Sequence, residues 1–186
     1  VSHIHVKKER IIDASPEVVY DALADYKGQR KQVLTPNFLD YTIERGGRGS
    51  GTMLRYRLQA AGRERPYHIS VQEPVKGQVL VERDTNSSLV TTWSVTPVKD
   101  GRQSKVSVES DWTGGNGVKG FFERTFAPLG LRRIYDTILS RLERQVQPGT
   151  VKDEKKKGLR LGLGIPFLIV GSLSTAAIVL RYMQKK

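Results

Sequence analysis

The chain has 186 residues, a formal charge of +12 and no cysteine. Disulfide frameworks, thiolate zinc sites and cysteine nucleophiles are therefore excluded, and the length suits one domain able to bury roughly 70% of its unfolded surface without such staples. Residues 1–148 carry 23 Lys and Arg against 17 Asp and Glu, and the last 38 residues carry 8 against 2, a distribution that favours anionic lipid head groups over nucleic acid, for which no motif is present.

In chain order, Ile4–Arg10 reads as a first strand. Ser15-Pro16 then marks a helix start, with Ser15 at the N-cap and Pro16 at the first helical position, where a missing N–H costs nothing. Val18, Val19, Ala22 and Leu23 give that short helix an apolar face, and a second short turn of helix over Lys27–Leu34 ends before Pro36. From Leu39 to Trp112 the hydrophobic period changes to two. Leu39, Tyr41 and Ile43 form one phase. After the glycine-rich run 46–52 come Leu54, Tyr56 and Leu58, then Tyr67, Ile69 and Val71. Gln78–Arg83, Val90–Val95 and Lys105–Trp112 complete six consecutive strands, which predicts an antiparallel meander with one dry face.

Residues 117–146 return to helical periodicity. Leu131, Ile134, Tyr135, Ile138 and Leu142 share one face, while Val118, Phe122, Thr125, Phe126 and Leu129 cluster about 200° away. Pro128 and Gly130 lie between the two groups and predict a break between Phe126 and Gly130. On that reading Gly114–Phe126, with Phe121 and Phe122, forms an apolar flap before the long helix. A basic linker over 149–160 leads into a single transmembrane helix over 161–182 and a short basic tail, 183–186. Leu161–Leu180 holds 20 residues without a charge, and a hydrocarbon core of ~30 Å takes about 20 helical residues to cross. Lys152, Lys155, Lys156, Lys157 and Arg160 precede the segment, and Arg181, Lys185 and Lys186 follow it. The heavier flank places the domain on the cytoplasmic side of the cell membrane.

The order predicts an α+β fold: a curved antiparallel sheet of about seven strands gripping one long C-terminal helix. A single helix cannot cover so broad a sheet, and the uncovered space becomes a cavity. Its expected walls are Leu54, Tyr56, Leu58, Tyr67, Ile69, Val71, Trp93, Val95, Val108 and Trp112 from the strands, with Phe122, Ile134, Tyr135 and Ile138 from the helical region. Tyr56 and Tyr67 are the best polar groups in that phase, although core tyrosines bonded to backbone are the commoner case. Ser110 shares the phase of Val106 and Val108, and Arg133 or Asp136 could reach the rim. No catalytic residue is assigned.

Three sharper motifs weaken on inspection. Gly46-Gly47-Arg48-Gly49-Ser50-Gly51 lacks the Lys-Ser or Lys-Thr and the following helix that a phosphate loop needs, so it reads as a turn with glycines at positive φ. His3 and His5 share a strand face but lack a carboxylate pattern nearby, and His68 lies on the polar side of its strand, so neither a metal site nor a general base is indicated. Arg55 and Arg57 share a solvated outer face, with contact to lipid phosphates as the sharper alternative.

Several runs together resemble the START-like (SRPBCC) superfamily in its polyketide cyclase/dehydrase and lipid transport branch, the helix-grip or birch-pollen-allergen-like fold. Ile12–Tyr20 resembles that family's first strand running into its first helix, and Gly46–Thr52 its glycine-rich turn. Val71-Gln72-Glu73-Pro74 is similar to the end of its fourth strand, Trp93–Pro97 to its sixth, and Leu131–Tyr135 to the opening of its long helix. The likeness covers about residues 3–146. It implies an apolar cavity for lipids, isoprenoids or polyketides, in a family of both carriers and enzymes. The expected function is a membrane-tethered binding domain, residues 1–148, for a hydrophobic small molecule, with no cofactor. A cyclase/dehydrase-type enzyme is the alternative, and an interaction module with a filled cavity the third reading.

Overall fold

Of the 186 residues, the computed structural model describes 2–60, 62–114 and 127–147. The chain opens with β1 (Ser2–Ile12) and turns through two short helices, α1 (Pro16–Ala24) and α2 (Gln29–Val33). Ser15 takes the N-cap position in an extended conformation before Pro16, but its side chain makes no capping hydrogen bond. Asp25 serves α2 better. Its carboxylate accepts the backbone N–H groups of Gly28 and Gln29, each at 3.0 Å, satisfying donors that a helix start leaves open.

Six strands follow as a meander: β2 (Phe38–Arg45), β3 (Met53–Ala60), β4 (Arg63–Val75), β5 (Val79–Asp84), β6 (Val90–Val98) and β7 (Gln103–Gly114). The sheet order is β1-β7-β6-β5-β4-β3-β2, with every neighbouring pair antiparallel. Pairing follows chain order except at one seam, where β1 lies along the whole of β7, Ser2 opposite Gly114 and Ile12 opposite Ser104. The long helix, α3 (Ala127–Val146), buries Leu131, Ile134, Tyr135, Ile138 and Leu142, the face expected of it, together with Leu139 and Val146. It packs on β1 and β3, while α1 packs on β6 and β7. Val6, Ile12, Leu23, Leu80, Val106 and Val108 are fully buried in the resulting core, each contributing about 1.5–3 kcal/mol by leaving water. This is the helix-grip fold.

The register departs from the simple alternation in β2. Leu39 pairs with Arg57 and Thr42 with Arg55, so β2 advances three residues while β3 advances two. The extra residue is a bulge, and Asp40 within it takes a left-handed φ of 53°. The bulge reverses the phase on its N-terminal side: Phe38, and not Leu39, packs against the core along with Tyr41 and Ile43.

The glycine-rich run also does more than reverse the chain. Gly46, Gly47, Gly49 and Gly51 have positive φ as anticipated. The loop then folds onto the end of α1: Gly49 N–H donates to the Ala24 carbonyl at 2.9 Å, and Lys27 N–H to that of Gly47 at 3.2 Å. A strand follows it, so no helix N-terminus is offered to a phosphate. Pro128 and Gly130 fall in the first turn of α3, where proline's missing donor does no harm. Residues 115–126 of the expected flap, Phe121 and Phe122 included, lie outside the described residues, as do 161–182. Among the described residues no helix is long and apolar enough to cross a membrane.

Candidate functional site

Between the concave face of the sheet and α3 lies a cavity of about 540 Å³. This is within the ~300–1,000 Å³ range of small-molecule sites. Leu54, Tyr56, Leu58, Tyr67, Trp93, Trp112, Tyr135 and Ile138, all expected from the sequence, line it. Ile69, Val71, Val95, Val108 and Ile134 do not. They are buried in the solid core instead. Strand phase is the same for the strand members of both sets; on β6 and β7, α1 packs over the sheet. Along β6, Val95 lies in the filled part, whereas Trp93 and Thr91 line the cavity. Phe122 lies outside the described residues. The exposed lining residues, among them Arg63, Glu64, Ser87, Ser88 and Thr113, come from the β3–β4 hairpin, the β5–β6 turn and the end of β7, and they mark the mouth.

The wall is an aromatic ladder. Phe38 and Tyr56 have ring centroids 5.0 Å apart, Tyr56 and Tyr67 5.5 Å, and Tyr41 and Tyr56 6.4 Å. Across the cavity Tyr135 meets Trp93 edge to face at 5.9 Å. Such contacts fix the rings relative to one another. The Tyr135 hydroxyl shares a hydrogen bond with Ser110, whose hydroxyl is 2.6 Å from that of Thr91. Burial pushes the Tyr135 phenol up to about 12, and the bonds to Ser110 and Thr91 pull the other way. Burial likewise raises Tyr56, Tyr26 and Tyr41. All four therefore stay neutral, as donors or acceptors, across the physiological range.

The end of the cavity beside α2 holds an ion pair. Arg30 Nη2 donates to Glu82 Oε1 at 2.9 Å, and the Tyr26 hydroxyl donates to the same oxygen at 2.9 Å. The guanidinium stacks 3.9 Å over the Trp93 ring and 5.7 Å from that of Tyr26, a placement that partly replaces lost hydration. Arg30 Nη1 and Trp93 Nε1 are buried without a hydrogen-bond partner. Sequence reasoning missed this group, and with it Phe38 and Tyr41 in the wall. Glu82 was accessible to it, because β5 alternates Leu80, Glu82 and Asp84 against Val79, Val81 and Arg83. Arg30 was not, since α2 is five residues long and shows no helical period.

The remaining candidates lie elsewhere. Asp136 approaches Lys8 at 3.7 Å and Arg10 at 3.5 Å, and Arg10 also pairs with Glu143 at 2.7 Å. These contacts tie α3 to β1. Arg133 is exposed. His5 Nδ1 lies 2.9 Å and His3 Nε2 3.4 Å from Asp111 Oδ1, a carboxylate brought across from β7 that strand-local reading overlooked. His68 shares hydrogen bonds with Glu44 at 2.7 Å and Thr85 at 3.0 Å. Among the described residues no group of His, Asp and Glu is arranged to hold a metal ion. Arg55 lies 3.5 Å from Glu44, and Arg57 pairs with Asp40 at 2.6 Å and with Glu64.

The sequence profile of the family described as polyketide cyclase / dehydrase and lipid transport matches residues 3–147. Among solved structures, the KanY protein, determined by NMR in solution, is 39% identical, with a TM-score of 0.70 over 80% of this chain and 100% of its own. The Zhui aromatase/cyclase from Streptomyces sp. R1128 is 15% identical, with a TM-score of 0.63 over 78% of this chain and 94% of its own. A START superfamily protein from Mycobacterium smegmatis is 18% identical, with a TM-score of 0.58 over 78% and 97%. The last two share the fold alone. None of the curated proteins compared matches the chain.

Proposed function

The chain belongs to the polyketide cyclase / dehydrase and lipid transport family, and on that premise we propose that it binds a hydrophobic small molecule between sheet and α3, beside a bilayer. The observation that carries this is the aromatic-walled cavity of about 540 Å³, a void that a protein built only for stability would fill. Native mass spectrometry of the full chain from its own membrane tests it directly, since a bound apolar molecule should co-purify. Tyr56→Trp and Tyr67→Trp should each weaken binding of an apolar fluorescent probe by filling the cavity, at about 1–3 kcal/mol of stability for overpacking. Unchanged binding in both variants places the ligand elsewhere.

The bilayer enters through the uncharged run Leu161–Leu180 and its basic flanks. A tether holds the cavity where apolar ligands concentrate. The segment should resist carbonate extraction, and protease outside intact cells should leave the domain whole. Release of the full-length chain by carbonate removes the tether from the proposal.

A second reading, a cyclase/dehydrase-type enzyme, is favoured by one observation: Glu82 places a carboxylate in the cavity wall, where a positioned base would act. Turnover of a bound polyketide-like chain, abolished by Glu82→Gln in a folded variant, would establish it. The third reading, an interaction module with a filled cavity, has no observation in its favour.

A further inference from the structure

We propose that the polar end of the cavity selects a neutral apolar ligand bearing a hydroxyl and rejects carboxylates, with Glu82 accepting the ligand's O–H. This rests on the binding-cavity reading and adds to it the chemical class of the ligand.

The argument begins with which half of the ion pair a ligand can touch. Both side chains line the cavity, but that of Arg30 is 4% exposed and that of Glu82 12%, so the carboxylate forms the larger share of the polar surface at this end. Glu82 Oε1 is occupied twice, by Arg30 and by Tyr26. Oε2 takes no hydrogen bond among the described residues, which leaves a carboxylate oxygen of the ion pair open to a donor. A hydroxyl supplies that donor without adding charge, and a hydrogen bond to a charged group is among the stronger neutral-ligand contacts.

Charge decides against an acid. Arg30 and Glu82 already pair, and a ligand carboxylate at this end would set two anions against one guanidinium within a largely aromatic wall. Arg30 cannot readily turn to serve the second anion, because its guanidinium is stacked on Trp93 and its free Nη1 is enclosed. The reach of the Glu82 charge shows in the wall itself: after burial, it is the largest cause that raises the phenols of Tyr26 and Tyr56. The other lining cations, Arg63 and Arg65, lie at the exposed mouth.

The test uses the full-length chain at pH 7 with three probes of one shape: 2-naphthol, 2-methoxynaphthalene and 2-naphthoate. We expect 2-naphthol to bind about tenfold more tightly than either of the others, the equivalent of ~1.4 kcal/mol. In the double variant Arg30→Gln/Glu82→Gln, which removes both charges and retains similar shapes, the advantage of 2-naphthol over 2-naphthoate should fall to about threefold or less. Equal binding of 2-naphthol and 2-methoxynaphthalene, or tight binding of 2-naphthoate, overturns the selection and leaves the cavity reading standing. An undiminished advantage in a folded double variant overturns the role of Glu82. Failure of all three probes to bind overturns the cavity reading together with the proposal. Should the double variant not fold, the series on the unaltered chain still decides.

Discussion

A guanidinium and a carboxylate enclosed by aromatic rings stabilise their surroundings only as a pair. Each has given up most of its hydration, Arg30 at 4% and Glu82 at 12% side-chain exposure. Removing one leaves the other charged and alone. Glu82→Leu should therefore cost about 3–5 kcal/mol, and Arg30→Met/Glu82→Leu should recover most of it, because a buried pair replaced by apolar groups is close to neutral. Urea unfolding of the single and double variants measures this. A loss in the double variant equal to the sum of the losses in Glu82→Leu and Arg30→Met would show that the two charges are not coupled. The pair also marks where residue-level reading stopped. Tyr56, Tyr67, Trp93 and Tyr135 were readable because aromatic residues recur in register with aliphatic ones. Glu82 breaks the apolar pattern it belongs to, and Arg30 belongs to no pattern, so neither was assigned to the wall.

Among the elements, the contacts of Glu73 show how local chemistry holds larger pieces together. Glu73, at the end of β4, accepts the hydroxyl of Tyr20 from α1 and the N–H of Gly77. Those bonds, the Tyr20 one first, hold its carboxyl below the ordinary glutamate value of 4.5. A depressed folded pKa stabilises the fold at pH above the unfolded value, and that stabilisation is lost as pH falls through the lower, folded value. The urea midpoint should thus drop between pH 6 and pH 3, and Glu73→Gln should reduce the drop by lowering stability at pH 6 alone. An identical pH profile in the variant would rule the contact out as a contributor.

Two turn glycines, Gly46 between β2 and β3 and Gly62 between β3 and β4, give a sharper contrast. Gly46 has φ +69°, and a Cβ there would lie 3.1 Å from Thr52 Cα, whereas Gly62 has φ +73° with nothing within 4 Å. Both alanine variants incur about 1–2 kcal/mol for left-handed backbone. Gly46→Ala should lose more, through the backbone contact, as paired unfolding midpoints will show. The strands and α3 were readable from period alone. The bulge at Asp40 was not, because Leu39, Tyr41 and Ile43 look like uninterrupted alternation while the inserted residue moves Phe38 into the wall.

For the molecule as a whole, phase told which face of the sheet is dry but not how far α3 and α1 cover it. Hence Val71, Val95 and Val108, expected at the cavity, are core. Coverage depends on where helices come to rest, which no single strand encodes. The compact unit Val1–Thr150 should fold without the rest of the chain: truncation after Thr150 should leave a single cooperative transition at an unchanged midpoint and abolish partition into anionic vesicles. A broadened or lowered transition would mean that residues beyond 150 contribute to the fold.

The β1–β7 seam has a consequence during synthesis. β1 is the first of the seven described strands to be synthesised and, among them, pairs only with the last, Ile12 waiting for Ser104 and Ser2 for Gly114. At about 5–20 residues per second, that wait of roughly 100 residues lasts some 5–20 s. Throughout it, Ile4, Val6 and Ile12, all buried in the finished domain, have no strand to lie beside. Through that interval the nascent domain carries an unmatched sheet edge. Lys7, Lys8, Glu9 and Arg10 in the middle of that strand are the kind of charged residues that discourage a neighbouring chain from pairing with it first.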